Sequence, residues 1–107
     1  MRVLLDECLP KKLGLSLVGH VTRTVAQEGW SGNRNGVLLV LMAGRGFEVL
    51  LTVDQSIPHQ QNLQSAGVAV VIMVTTSNRL TDLLPLVPGV LAALSTVQPG
   101  DVMRVNP

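Results

Sequence analysis

The chain has 107 residues, of which 47% are hydrophobic and 14% charged, and a net charge of +1. That length accommodates one domain, 1–107, with a core of limited depth. The balance excludes the basic stripe of a tight duplex binder, and the single cysteine, Cys8, excludes an internal disulfide and suits a reducing cytoplasm. The longest apolar runs, 37–43 and 68–74, are too short to span a bilayer. The opening MRVLLDE puts acids straight after a short apolar run, unlike a secretory signal. A cytoplasmic protein without a membrane segment is expected. So few charges also predict that a partner or a second copy covers some surface, hence a homo-oligomer.

In chain order, residues 2–5 (RVLL) read as a buried strand. Pro10 fits the first turn of a helix running to about Leu17, with Lys11 and Lys12 on its wet side. Gly19 closes that helix, and 20–25 (HVTRTV) alternates as a second strand. Residues 29–32 (GWSG) are a loop. Asn35 is placed to cap a helix over 36–44. Residues 48–53 (EVLLTV) are a third strand, 62–66 one or two helical turns, and 68–74 (VAVVIMV) a fourth strand suited to burial on both faces. Ser77 or Asn78 is placed to cap a helix over about 79–95, interrupted or restarted by Pro85 and Pro88. Residues 101–105 (DVMRV) make a short edge strand.

Strand and helix alternate throughout. The pattern predicts an α/β three-layer sandwich with a mainly parallel sheet of four or five strands. With strand 1 interior between strands 2 and 3, the order reverses between strands 1 and 3. Ligands of open parallel sheets bind beyond the carboxyl ends of strands at such a reversal. The residues there are Asp6 and Asp54.

Neighbouring strands lie about 4.8 Å apart, so Asp6 and Asp54 can share one hard divalent ion held by oxygen. Their plainer role is to cap the helices that follow. Glu7 points elsewhere, toward the surroundings of the site or a helix N-terminus. Thr52 and Asp54 form a T-x-D step on one strand face, where the hydroxyl can orient the acid, contact a phosphate, or simply serve strand preference. Asn78 and Arg79 follow strand 4 at the same sheet edge, and the planar fork of Arg79 suits a phosphate. His20 sits at the opposite end of the sheet. His59 lies in a polar loop nearer the acids. Trp30 either stacks a base or anchors its own loop. There is no phosphate loop, no G-x-S-x-G elbow and no zinc spacing.

The segments LLDECLP, GHVTRTVAQEGWSG, NG before a helix, LLTVDQSIPHQQN and the late SNRL together resemble a family of small bacterial PIN-like proteins, often found in toxin–antitoxin gene arrangements. The resemblance runs from Met1 to about Val105. It implies a PIN-like fold and a ribonuclease acting as a toxin, with Mg²⁺ or Mn²⁺ activating water at clustered acids. It also implies RNA as substrate and an antitoxin protein as partner. Asp6 matches the first-strand acid and Asp54 the T-x-D acid, with Glu7 completing the catalytic set. Thr52, Asn35, Asn78 and Arg79 are the substrate-side candidates. The chain departs from the family in two places. Asn35 stands where relatives carry an acid at the start of the middle helix, and Gln55 and Ser56 follow Asp54 where a further acid is common. The alternative is therefore a binding or interaction module on the same scaffold with a degraded site. A receiver-type or flavodoxin-like reading is weaker, because no lysine follows strand 4 or 5 and Arg79 is the only cation near.

Overall fold

The segments VLLT (49–52) and AVVIM (69–73) are buried at every position, as befits interior strands of a parallel sheet. The computed structural model describes residues 1–56 and 60–107, so His59 lies outside the described residues. Five strands form: β1 (Arg2–Leu5), β2 (Val21–Thr24), β3 (Val49–Thr52), β4 (Ala69–Met73) and β5 (Val102–Val105). They pair in the order β2-β1-β3-β4-β5, and every pairing is parallel. The sheet is flanked by α1 (Asn35–Gly44), α2 (Gln60–Ala66), α3 (Leu80–Leu83) and α4 (Val87–Thr96). The α/β three-layer sandwich is as expected, with β1 interior.

Side chains alternate between two cores. On one face Val3, Leu5, Val49, Leu51, Val71 and Met73 pack against Leu13 and Leu17 after β1 and against Leu83, Val90 and Leu94 after β4. On the other, Leu4, Leu50, Val70 and Ile72 meet Leu38, Leu39 and Met42 of α1 and Leu63 of α2. Both helices of this second face end alike. After α1, Gly46 at φ +77° lets its own N–H reach Ala43 O and the Phe47 N–H reach Met42 O. This paired bond satisfies carbonyls that the helix end leaves open and turns the chain into β3.

The crossovers are not all of one hand. β1 to β2 moves one way across the sheet over the first face. β2 to β3 and β3 to β4 move the other way over the second face. Reversing direction and face together preserves hand, so these three agree. β4 to β5 continues in the direction of β3 to β4 but returns over the first face, and so has the opposite hand. Parallel crossovers nearly always share one hand, which makes the fourth the unusual connection. Burial explains it. The segment after β1 is only a six-residue 3₁₀ helix, Lys11–Ser16, lying on β2. The rest of that apolar face is covered by 83–97.

One expectation is corrected here. Pro10 precedes a 3₁₀ helix, not an α-helix. There, a Cβ on Gly14 would come within 2.4 Å of Thr22 Oγ1, so the segment sits too tightly on β2 for a longer side chain. As expected, the stretch 79–95 is interrupted, into α3, a 3₁₀ turn over Leu84–Leu86, and α4, because Pro85 and Pro88 supply no amide hydrogen. Most apolar side chains of 83–94 are buried. Helix α1 leaves Val37 and Val40 exposed, by 49% and 71%. Among the described residues no helix is long and apolar enough to cross a membrane.

Candidate functional site

Asp6 follows β1 and takes up the sheet geometry directly, its N–H donating to Leu51 O of β3 at 3.0 Å. Thr52, the last residue of β3, is 1% exposed. Its hydroxyl donates to Asp6 Oδ2 at 2.6 Å and accepts the Asp54 N–H at 2.9 Å. One buried hydroxyl thus ties the two acids together across neighbouring strand ends. Thr52 orients the acids, and its one hydroxyl proton goes to Asp6.

The remaining bonds fix both carboxylates. Asp6 Oδ1 accepts the Glu7 N–H at 2.8 Å. Asp54 Oδ1 accepts the Ser56 N–H at 2.8 Å, and Oδ2 faces the Asn35 amide at 3.4 Å. That amide donates more strongly to Ser56 O, at 2.7 Å. Asn35 is the first residue of α1, and the capping position is Arg34, which makes no side-chain cap. The expected cap is therefore corrected: the Asn35 side chain leaves its own helix and holds the Asp54 loop. Glu7 turns away from the pair and accepts the Gly32 N–H at 2.9 Å.

Asp6, Glu7, Arg34, Asn35 and Asp54 line one open cleft of about 450 Å³. It lies at the β1–β3 reversal, the place where doubly wound sheets bind ligands. An ionised carboxylate has about four lone-pair positions. Asp6 and Asp54 each spend two here, leaving two apiece without a partner among the described residues. Mg²⁺ is usually bound through one or two carboxylates with several waters retained, and the pair suits that manner of binding. A closed cage of protein ligands is not formed, since among the described residues no three His, Cys, Asp or Glu side chains gather.

The other candidates lie elsewhere. Asn78 donates to Cys8 O at 2.9 Å, bracing the loop after β1, and it does not line the cleft. Arg79 pairs with Asp82 at 3.7 Å on the surface. Neither Ser77 nor Asn78 is the expected cap, since the capping position of α3 is Arg79 and carries no side-chain cap bond; Ser77 Oγ instead accepts the Arg79 N–H at 3.0 Å and donates to Asp82 at 2.6 Å. Trp30 packs edge-on against Phe47 with centroids 6.0 Å apart and anchors its loop. Cys8 is half-buried beside Asp6 and Thr52. Burial pushes its thiol above the ordinary value of 9.0, and the Asp6 charge adds to the rise, so the sulfur is held in its unreactive form at neutral pH. The cation that does line the cleft is Arg34. Its signal in the sequence was its place just before a helix that begins beyond the carboxyl end of strand 2.

Fold and site together define a doubly wound α/β domain with an acidic cleft at its switch point. Comparison with protein-family models, with curated proteins and with solved structures finds no match to this chain.

Proposed function

We propose that the chain is a metal-dependent ribonuclease of PIN type that acts as the toxin of a toxin–antitoxin pair in the cytoplasm. The observation that carries this reading is the junction of Asp6 and Asp54 through the buried Thr52 hydroxyl at the mouth of one open cleft. Asp6 and Asp54 would hold Mg²⁺ or Mn²⁺, which supplies an activated water and charge stabilisation for phosphodiester hydrolysis. Thr52 keeps the two carboxylates in register. Asn35 fastens the loop that carries Asp54. Glu7, secured by Gly32, adds negative charge to the rim. An antitoxin protein and a second copy of the chain are the partners this reading calls for, and the exposed Val37 and Val40 favour self-association.

A second reading has its own support. Asn35 stands where a third carboxylate would strengthen ion binding, and its amide already engages Asp54 and Ser56. A network satisfied without an ion favours a binding module with a degraded site. The Asp54→Asn variant separates the two. Titration calorimetry with Mn²⁺ should show binding by the wild type and weakened binding by the variant. Cleavage of a mixed RNA pool should fall by on the order of a hundredfold or more, as losses of transition-state charge stabilisation do. Metal binding without cleavage by the wild type selects the module. Cleavage unchanged in the variant removes the cleft from the reaction.

A further inference from the structure

The acid cleft does not end at Glu7. A second cavity shares Glu7 with it and continues over Leu9, Lys11 and Thr24. A third shares Lys11, Thr24 and Gln27 with the second and opens between Lys12, Leu15 and Arg23. Their volumes are about 450, 380 and 410 Å³. Each alone is the size of a small-ligand pocket, about 300–1,000 Å³. Three in a row suit an extended chain better than a single small molecule.

The charges along this path are unequally spent. The ion pairs among the described residues are Arg23 with Glu28 and Arg79 with Asp82. Lys11 and Lys12 at the far end and Arg34 at the near end are exposed and have no such partner there. Between them Thr24 and Gln27 bond reciprocally, backbone to side chain in both directions, and firm up the middle of the path. Leu15, 83% exposed, gives the far end an apolar wall. A path with free cations at both ends and an apolar wall matches a polyanion that carries flat apolar groups.

We propose that the three adjoining cavities form a track for single-stranded RNA, with Lys11 and Lys12 as a distal phosphate subsite and Arg34 as the proximal one. The track rests on the ribonuclease reading for its substrate and extends it from the acids to the β2 edge. The same edge resists the obvious competitor, an added peptide strand. Val21 and Val25 donate to Met1 O and Leu5 O of the neighbouring segment, so Thr22 and Thr24 turn outward. The Thr24 N–H is already taken by Gln27 Oε1, and its carbonyl accepts the Glu28 N–H. Thr22 alone is left open in this strand, and strand addition needs a row of such groups. Glu7, at the junction of two cavities, opposes a phosphate passing it. Neutralising Glu7 should therefore tighten binding.

The test is anisotropy of a labelled oligouridine of roughly 12 nucleotides, a length within the site sizes of single-strand binders. It is run in EDTA over roughly 50–200 mM salt, where phosphate contacts are read from the salt slope. Each phosphate contact on a single strand contributes about 0.7 to that slope. The double variant Lys11→Ala/Lys12→Ala should lose about 1.4 and Arg34→Ala about 0.7, by the same constant. Lys11→Arg/Lys12→Arg should keep the wild-type slope, Arg79→Ala should be silent, and Glu7→Gln should bind more tightly. No binding by the wild type, or an unchanged slope in the double alanine variant, overturns the track. So does tighter binding of an acidic peptide than of RNA. Chelation removes cleavage from the readout, so the two proposals fail separately. Cleavage with an unchanged slope in the lysine variant leaves the ribonuclease and removes the track. Track binding by a protein that never cleaves does the reverse.

Discussion

Two corners at the carboxyl edge of the sheet are built from similar residues and end up opposite in character. At the β1–β3 corner a threonine hydroxyl bonds to an aspartate and to a backbone N–H, and an asparagine amide reaches a loop carbonyl. Beyond β4 a serine hydroxyl likewise bonds to an aspartate and to a backbone N–H, and an asparagine amide reaches another loop carbonyl. In the first corner the hydroxyl is buried and both aspartates border an open cleft. In the second, Asp82 belongs to the first turn of α3 and is also paired with Arg79, so the polar groups satisfy one another. Paths explain the contrast. After β1 and β3 the chain departs to opposite faces, leaving a gap over the strand ends. After β4 it enters α3 within a few residues, and although a cavity of about 410 Å³ opens there, Asp82 is the sole acidic side chain lining it and is bonded to its own helix start. A polar cluster becomes a candidate site where several acids border one cavity and, among the described residues, no cation pairs with them.

Substitutions at matched positions can break this contrast. The largest difference should come from the two asparagines. Asn35→Asp adds a carboxylate beside Asp54 and should raise Mn²⁺ affinity on the order of tenfold, since ligand charge tunes such sites over decades. The metal-free protein should melt lower, because the amide bond to Ser56 O is lost. Asn78→Asp sets an acceptor against Cys8 O and should lower the melting temperature without changing Mn²⁺ affinity. Calorimetric titration and thermal scans on both variants check the pair, and equal gains in affinity would erase the distinction.

Thr52→Val should come next. It keeps the volume but strips a donor from Asp6 and an acceptor from the Asp54 N–H in a buried position. The expected cost is about 1–3 kcal/mol, or about 4–8 °C in melting temperature per kcal/mol for a chain of this size. Weaker Mn²⁺ binding should accompany it. The smallest effect belongs to Ser77→Ala, about 0.5–1.5 kcal/mol for losing its bonds to the Arg79 N–H and to Asp82 at a partly exposed position, with metal binding untouched. A Ser77→Ala loss as large as that of Thr52→Val would mean that burial is not what separates the corners.

Much of the sheet could be read from the chain because its signals are local. The run AVVIM has no polar position to turn to water, so β4 had to be interior. The positions of Asp6 and Asp54 follow from strands that end one and two residues before them, and the T-x-D step already put Thr52 beside them. The role of Thr52 was less legible. A hydroxyl facing a phosphate and one facing a buried acid look the same until the neighbouring strand is in place. Arg79 was the natural phosphate candidate by distance from strand 4, and in the fold it pairs with Asp82 three residues on and does not line the cleft.

The sequence by itself determined that this is a single α/β domain with a parallel sheet and acids at two strand ends, because burial pattern and chain breaks are properties of short segments. Tertiary structure alone decided which polar residues share a cleft. It placed Arg34 beside the acids, sent Asn78 to brace Cys8, and carried the last crossover over the first face of the sheet. Both faces of the interior strands are apolar, so no local pattern tells 83–97 which side to cover. That choice follows from area left bare by a 3₁₀ helix too short to cover it, a quantity that exists only once the strands are side by side.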